Sequence, residues 1–129
     1  MREGLTELTI IGLHHVQITI PQGSEDQGRA FYCDVLKLIE IPKPQSLHGR
    51  GGFWLRVGKH EVHVGTQDGV DRQSNKAHLA LEVNDLLHWR TVLNDHGLEI
   101  LESVAIPGFD RFEFRDPFGN RLEIIQRQT

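Results

Sequence analysis

Apolar and polar residues alternate along Leu13-His14-His15-Val16-Gln17-Ile18-Thr19-Ile20, and again along Lys76-Ala77-His78-Leu79-Ala80-Leu81-Glu82-Val83. A period of two sends successive side chains to opposite faces, so both stretches predict strands buried on one side only. Val16, Ile18 and Ile20 make the apolar face of the first, which leaves His15, Gln17 and Thr19 opposite. Ala77, Leu79, Leu81 and Val83 make that of the second, which leaves His78, Ala80 and Glu82 opposite. After each strand the period lengthens. A helix is predicted over about 26–36, with Ala30, Phe31, Val35 and Leu36 on one side. A second is predicted over about 85–96, with Leu86, Trp89, Val92 and Leu93 on one side. Ser24 or Asp26 is the candidate cap of the first, Asn84 or Asp85 that of the second, and Gly97 is the stop signal. Three further strands close each half, at about 38–42, 52–57 and 60–65, then at about 99–104, 110–115 and 121–126.

The order of signals is the same in both halves, which makes the chain a duplicated β-α-β-β-β unit. Unit one runs over 10–66 and unit two over 75–126, joined by the polar, turn-forming stretch 67–74. At 129 residues the prior is one domain, and the predicted class is α+β with eight strands and two helices. One face of each sheet lies under its helix; the other is free to curve into a cleft.

Four residues with metal-ligand chemistry occupy matched places in the repeat. His15 and His78 stand on the first strand of each unit, and His63 and Glu123 on the last. Their spacings are 48 (15 to 63) and 45 (78 to 123). Val62 and Val64 turn one way, so His63 turns the other with Glu61; Leu122 and Ile124 likewise leave Glu123 with Arg121. All four fall on the face away from the helices. Three imidazoles and a carboxylate suit a divalent transition metal.

Composition narrows the partners. Charged residues are 25% of the chain and the net charge is −4, which gives no basic surface for a nucleic acid backbone. No apolar run is long enough for a membrane span. Met1–Glu7 has no apolar signal core, and the single Cys33, placed on a helix and read as packing, is consistent with a reducing cytoplasm. The expected partner is a small molecule. Gln17, Arg50, Trp54 and Arg56 are the candidate substrate-binding residues, with Phe109 a further apolar wall. Arg50 lies in the Gly-rich run His48-Gly49-Arg50-Gly51-Gly52, read as a mobile loop that meets an anionic substrate.

Three segments carry a family resemblance: Gly12-Leu13-His14-His15-Val16, Ala30-Phe31-Tyr32-Cys33-Asp34-Val35-Leu36-Lys37-Leu38, and Arg115-Asp116-Pro117-Phe118-Gly119-Asn120-Arg121-Leu122-Glu123. Together they resemble the vicinal oxygen chelate superfamily, which includes glyoxalase I, extradiol dioxygenases, fosfomycin-resistance proteins and bleomycin-binding proteins. The resemblance runs from Ile11 to Gln126. It implies that His15, His78 and Glu123 ligate a divalent metal (zinc, nickel, iron or manganese), with His63 at the fourth ligand position. It also implies a homodimer in which ligands come from both chains. The implied activity is that of a glyoxalase-like lyase or isomerase, the metal acting as a Lewis acid on neighbouring oxygens and Glu123 as general base. Glyoxalase I usually has a second carboxylate where this chain has His63, so its two-carboxylate proton shuttle is not expected here. The alternatives are a bleomycin-type binding protein without catalysis and a ring-cleaving dioxygenase.

Overall fold

The computed structural model describes residues 8–129; Met1–Glu7, read above as lacking a secretion signal, lie outside the described residues. Unit one consists of β1 (His15–Ile20), helix α1 (Glu25–Arg29, continued by a π-helical turn Ala30–Val35), β2 (Ile39–Ile41), a 3-10 turn (Gln45–Arg50), β3 (Phe53–Val57) and β4 (His60–Thr66). Unit two consists of β5 (His78–Glu82), α2 (Leu86–Asp95), β6 (Leu101–Glu102), β7 (Phe109–Arg115) and β8 (Arg121–Arg127). The strands form two sheets, ordered β1-β4-β3-β2 and β5-β8-β7-β6. In each, the first strand of the unit pairs in parallel with the last, and the other pairs are antiparallel. The duplicated β-α-β-β-β layout expected from the sequence is the observed one.

The period-two pattern explains the packing. Val62, Val64, Phe53 and Leu55 of the first sheet, and Phe112, Phe114, Leu122 and Ile124 of the second, are all 5% exposed or less. They join Phe31, Tyr32 and Leu36 of the α1 region and Leu86 and Leu93 of α2 in one hydrophobic core. The two units therefore pack through their helix-covered faces, and the opposite faces carry the polar residues. Among the described residues no helix is long and apolar enough to cross a membrane.

Local details depart from the simple reading. The π turn arises where Leu36 N–H donates to the Phe31 carbonyl at 3.0 Å, a five-residue step that puts Phe31 and Leu36 on the same side of the helix. Asp85 caps α2 by accepting from His88 N–H, whereas the Ser24 hydroxyl donates to the Pro21 carbonyl at 2.6 Å and caps nothing. The Gly-rich run is also built differently from the expected mobile loop. It forms the 3-10 turn and is pinned at three points: Lys43 Nζ donates to Gly51 O (2.6 Å), His48 Nε2 contacts Lys43 O (3.0 Å), and Gly52 N–H donates to Glu25 Oε2 (3.0 Å).

Gly52 is obligatory in that arrangement. Its φ is +82°, and a Cβ there would stand 2.1 Å from the Val64 carbonyl oxygen in β4. Backbone cannot yield as a side chain does, so Gly52→Ala is expected to cost at least about 2 kcal/mol. Gly49 has open space around its Cβ position, and Gly49→Ala is expected to be near neutral. Urea unfolding of the two variants checks the contrast; equal midpoints would show that the turn relaxes freely.

Candidate functional site

The polar faces carry two groups of side chains, one on each sheet. On the first sheet, the registers His15↔Glu61, Gln17↔His63 and Trp54↔His63 set neighbouring side chains on one face. The His63 ring lies between two others. Trp54 stacks on it at 3.7 Å between centroids and 2° between planes, and His15 stacks on it at 4.0 Å and 16°. Burial follows: His63 is 6% exposed, while His15 at the sheet edge is open to solvent. His63 Nε2 lies 2.9 Å from Glu61 Oε1. An ionised carboxylate only accepts, so Nε2 carries the hydrogen and Nδ1 is the nitrogen left for other chemistry. The bond from His63, helped by Arg56 and His14, holds Glu61 below the usual carboxylate range.

A carboxylate that fixes one ring nitrogen is the usual support for a histidine that ligates through the other. Glu61→Ala is therefore expected to leave the His63 tautomer unfixed and to weaken divalent metal binding by about 10-fold or more. Imidazole ¹⁵N spectra of the metal-free protein read the first effect directly. An unchanged His63 tautomer in the variant would remove Glu61 from this role.

On the second sheet, His78 Nε2 stands 3.1 Å from Glu123 Oε1. The other nitrogen, Nδ1, is 3.0 Å from the Lys76 carbonyl, which can only accept, so Nδ1 bears a hydrogen. In neutral His78 the Nε2 lone pair then faces a carboxylate oxygen. Two acceptors at this distance need a cation between them, either a proton or a metal. Ligands at about 2.0–2.2 Å from one ion stand roughly 3.0–3.5 Å apart, which is the spacing seen here. The donor set thus fits a divalent ion.

A third residue joins this group. Glu113 of β7 lies directly across from Glu123, and ligand atoms of His78, Glu113 and Glu123 fall within 4.8 Å of one another. Like charges placed opposite each other repel, and two guanidinium groups offset them. Arg121 makes a two-pronged bond to Glu113 (3.0 and 2.6 Å), and Arg111 Nη1 lies 3.4 Å from Glu123 and 3.6 Å from Glu113. The bond from Arg121 is the largest cause holding Glu113 below the ordinary carboxylate range, with His78 and Arg111 adding to it. The sequence reading passed over Glu113. The signal was present, because Phe112 and Phe114 point to the core and the Asp116–Asn120 turn pairs Arg115 with Arg121, and hence Glu113 with Glu123.

The four ligand candidates read from the sequence do not all meet within one chain. His15 and His63 line a cavity of about 480 Å³ on the first sheet, together with Gln17, Arg50 and Trp54. His78 and Glu123 belong to the other cluster. Arg56 stands apart from that cavity. It lies 3.7 Å from Glu61 and lines a separate cavity of about 600 Å³ beside Leu38, Leu81 and Trp89. Phe109 begins β7, with the Arg127 guanidinium over its ring at 5.4 Å from the ring centre.

A family model described as the Glyoxalase/Bleomycin resistance protein/Dioxygenase superfamily matches residues 12–124. The chain belongs to that superfamily. Among solved structures, one named as a glyoxalase family protein from Bacillus anthracis is 36% identical, with a TM-score of 0.86 over 95% of this chain and 99% of that one. A fosfomycin resistance protein, FosX, from Listeria monocytogenes, solved with Mn(II) and sulfate, has a TM-score of 0.76 at 14% identity over 93% of each chain. An integron cassette protein from V. cholerae has a TM-score of 0.70 at 22% identity, covering 95% and 99%. At these lower identities the likeness is one of fold. No curated protein matches the chain. The superfamily assignment accounts for the repeated unit and for the polar face on each sheet, and it leaves the reaction to be argued from the side chains.

Proposed function

We infer that this superfamily member is a metal-dependent enzyme acting on a small molecule with neighbouring oxygens, of the lyase or isomerase type. The observation that carries this reading is the His78–Glu123 contact, in which a ring nitrogen fixed as an acceptor and a carboxylate converge at 3.1 Å. His78 and Glu123 of one copy, with His15 and His63 of a second, would hold the ion. The two groups sit on outward faces of sheets that share one core within the chain, so a homodimer offers a way to bring them together. Zinc, nickel, iron and manganese all suit such a set. A bound divalent ion supplies Lewis-acid stabilisation of negative charge on substrate oxygen.

The residues around the ion have separable tasks. Glu123, 4% exposed and facing His78 at 3.1 Å, is the proposed proton acceptor, because it is the carboxylate placed beside the ion's imidazole ligand. Glu113 supplies a second carboxylate from β7, the chemistry that His63 does not provide in β4. Arg121 keeps that second group charged, which suits it to hold position or cation rather than to carry the proton. Trp54 and Gln17 would bound the substrate on the first sheet. The single Cys33, whose thiol is pushed up mainly by burial, fits a reducing cytoplasm and no nucleophilic role.

Metal content per chain, measured on protein purified without chelator, tests the proposal. About one divalent ion for each His78–Glu123 pair is the expected result. Protein that neither carries nor takes up metal would move it to the binding class, with small molecules held and not turned over.

A further inference from the structure

The cavity on the first sheet has a charge character that the metal reading does not use. Of the residues lining it, none is acidic, while Lys43 and Arg50 both border it beside His15 and His63. The protein as a whole carries a net charge of −4, so a cation-rich, acid-free lining is against the average. The cations elsewhere on the polar faces are already paired: Arg111 and Arg121 face Glu113 and Glu123, and Arg56 faces Glu61. Lys43 spends its ammonium on Gly51 O, with the Glu25 carboxylate bonded to the next residue. Arg50 makes no ion pair among the described residues.

The backbone turn that carries Arg50 is held in place. Arg50 ends the 3-10 turn Gln45–Arg50, and the turn is fastened on both sides by the Lys43–Gly51, His48–Lys43 and Gly52–Glu25 contacts. Gly51 and Gly52 follow at φ +74° and +82°, and both lie close against β4, where a Cβ on Gly52 would meet Val64 O. A guanidinium carried on a fastened turn loses less freedom on binding than one on a mobile loop. Beside it, Leu47 and Trp54 give the cavity an apolar wall.

We propose that this cavity takes a small organic acid, with its phosphonate, phosphate or carboxylate group on Arg50 and its apolar body against Trp54 and Leu47. The assignment rests on reading the polar faces as the substrate site and adds the substrate's charge class to it. Arg50 is then the residue that sorts acids from their neutral analogues. Its planar fork forms two parallel charge-assisted hydrogen bonds to such a group, which a neutral hydroxyl cannot reproduce.

Calorimetric titration of the full-length chain with phenylphosphonate and with neutral benzyl alcohol tests this. Phenylphosphonate is expected to bind at least about ten-fold more tightly, with or without added Mn(II). Arg50→Gln should erase that preference, and Lys59→Gln, on the exposed turn between β3 and β4, should preserve it. Equal affinity for the two probes, no binding of phenylphosphonate to folded protein, or a preference that survives Arg50→Gln overturns the assignment. Electron paramagnetic resonance of Mn(II) on the same samples keeps the two ideas apart. Manganese bound normally with no acid preference defeats the acid site alone. An Arg50-dependent preference in protein that binds neither manganese nor zinc, nickel or iron, the last three read by metal content after loading, defeats the metal reading and leaves the acid site standing.

Discussion

Glu123→Gln is expected to abolish tight metal binding while leaving the metal-free protein as stable as before. The two halves of that result have one cause. Glutamine keeps the shape of glutamate and loses its charge and one acceptor, so affinity for a divalent ion should fall by at least about 100-fold. In the metal-free protein the same change leaves His78 with a partner. His78 Nδ1 is committed to the Lys76 carbonyl, so neutral His78 turns a lone pair toward Oε1 of Glu123. A glutamine amide can donate into that lone pair. Arg111 loses a partner at 3.4 Å but keeps Glu113 and two bonds to the Val104 carbonyl. Thermal unfolding with chelator should therefore move by no more than a few degrees, and competition with a chromophoric chelator should show the affinity loss. Glu113→Gln gives the internal comparison, with a loss of about 10-fold, since its carboxylate is shared with Arg121. A Glu123→Gln protein that binds metal as wild type does would place the ion elsewhere and remove Glu123 from the centre.

The fold was readable because it is written in periods that burial enforces. Val16, Ile18 and Ile20 against His15 and Gln17, and Leu122 and Ile124 against Glu123, give each strand its face and hence each candidate its side. Matching order in the two halves then gave the repeat. What was not readable lay in contacts that close across sequence. The stretch 67–74 read as polar connection, yet Arg72 within it is 6% exposed and donates to the Thr19 and Gln67 carbonyls and to the Thr19 hydroxyl. A guanidinium satisfied by neutral acceptors leaves no charge partner in the sequence to point to it. The Gly-rich run failed in the opposite direction. Glycine content suggested motion, whereas Gly52 is there because a Cβ would strike Val64 O. Glu113 does not stand out in the repeat, because its counterpart in unit one is not a ligand: Trp54 faces His63 where Glu113 faces Glu123.

Asp116→Ala is expected to destabilise the protein by about 4 kcal/mol, a fall in melting temperature of roughly 15 °C for a domain of this size. Asp116 is 4% exposed and accepts four hydrogen bonds. Oδ1 takes the N–H groups of Phe118 and Asn120 at 2.9 and 2.8 Å, and Oδ2 takes the Tyr32 hydroxyl at 2.5 Å and the Asn120 side-chain amide at 2.9 Å. Three of these bonds lie within the Asp116–Asn120 turn, and one reaches 84 residues back to a tyrosine that is 1% exposed. Burial first, then the Asp116 carboxylate, pushes the Tyr32 hydroxyl well above the ordinary tyrosine range, so it acts as a fixed donor. Alanine would strand several donors at once, and a buried donor without a partner costs about 1–3 kcal/mol. Tyr32→Phe removes only one of the four bonds and should cost about 1–2 kcal/mol. If the two variants lose the same stability, the carboxylate is not the junction described. The turn also sets the register that brings Glu113 across from Glu123. Asp116→Ala should therefore weaken metal binding at temperatures where the chain is still folded, whereas Tyr32→Phe, with the turn bonds intact, should not.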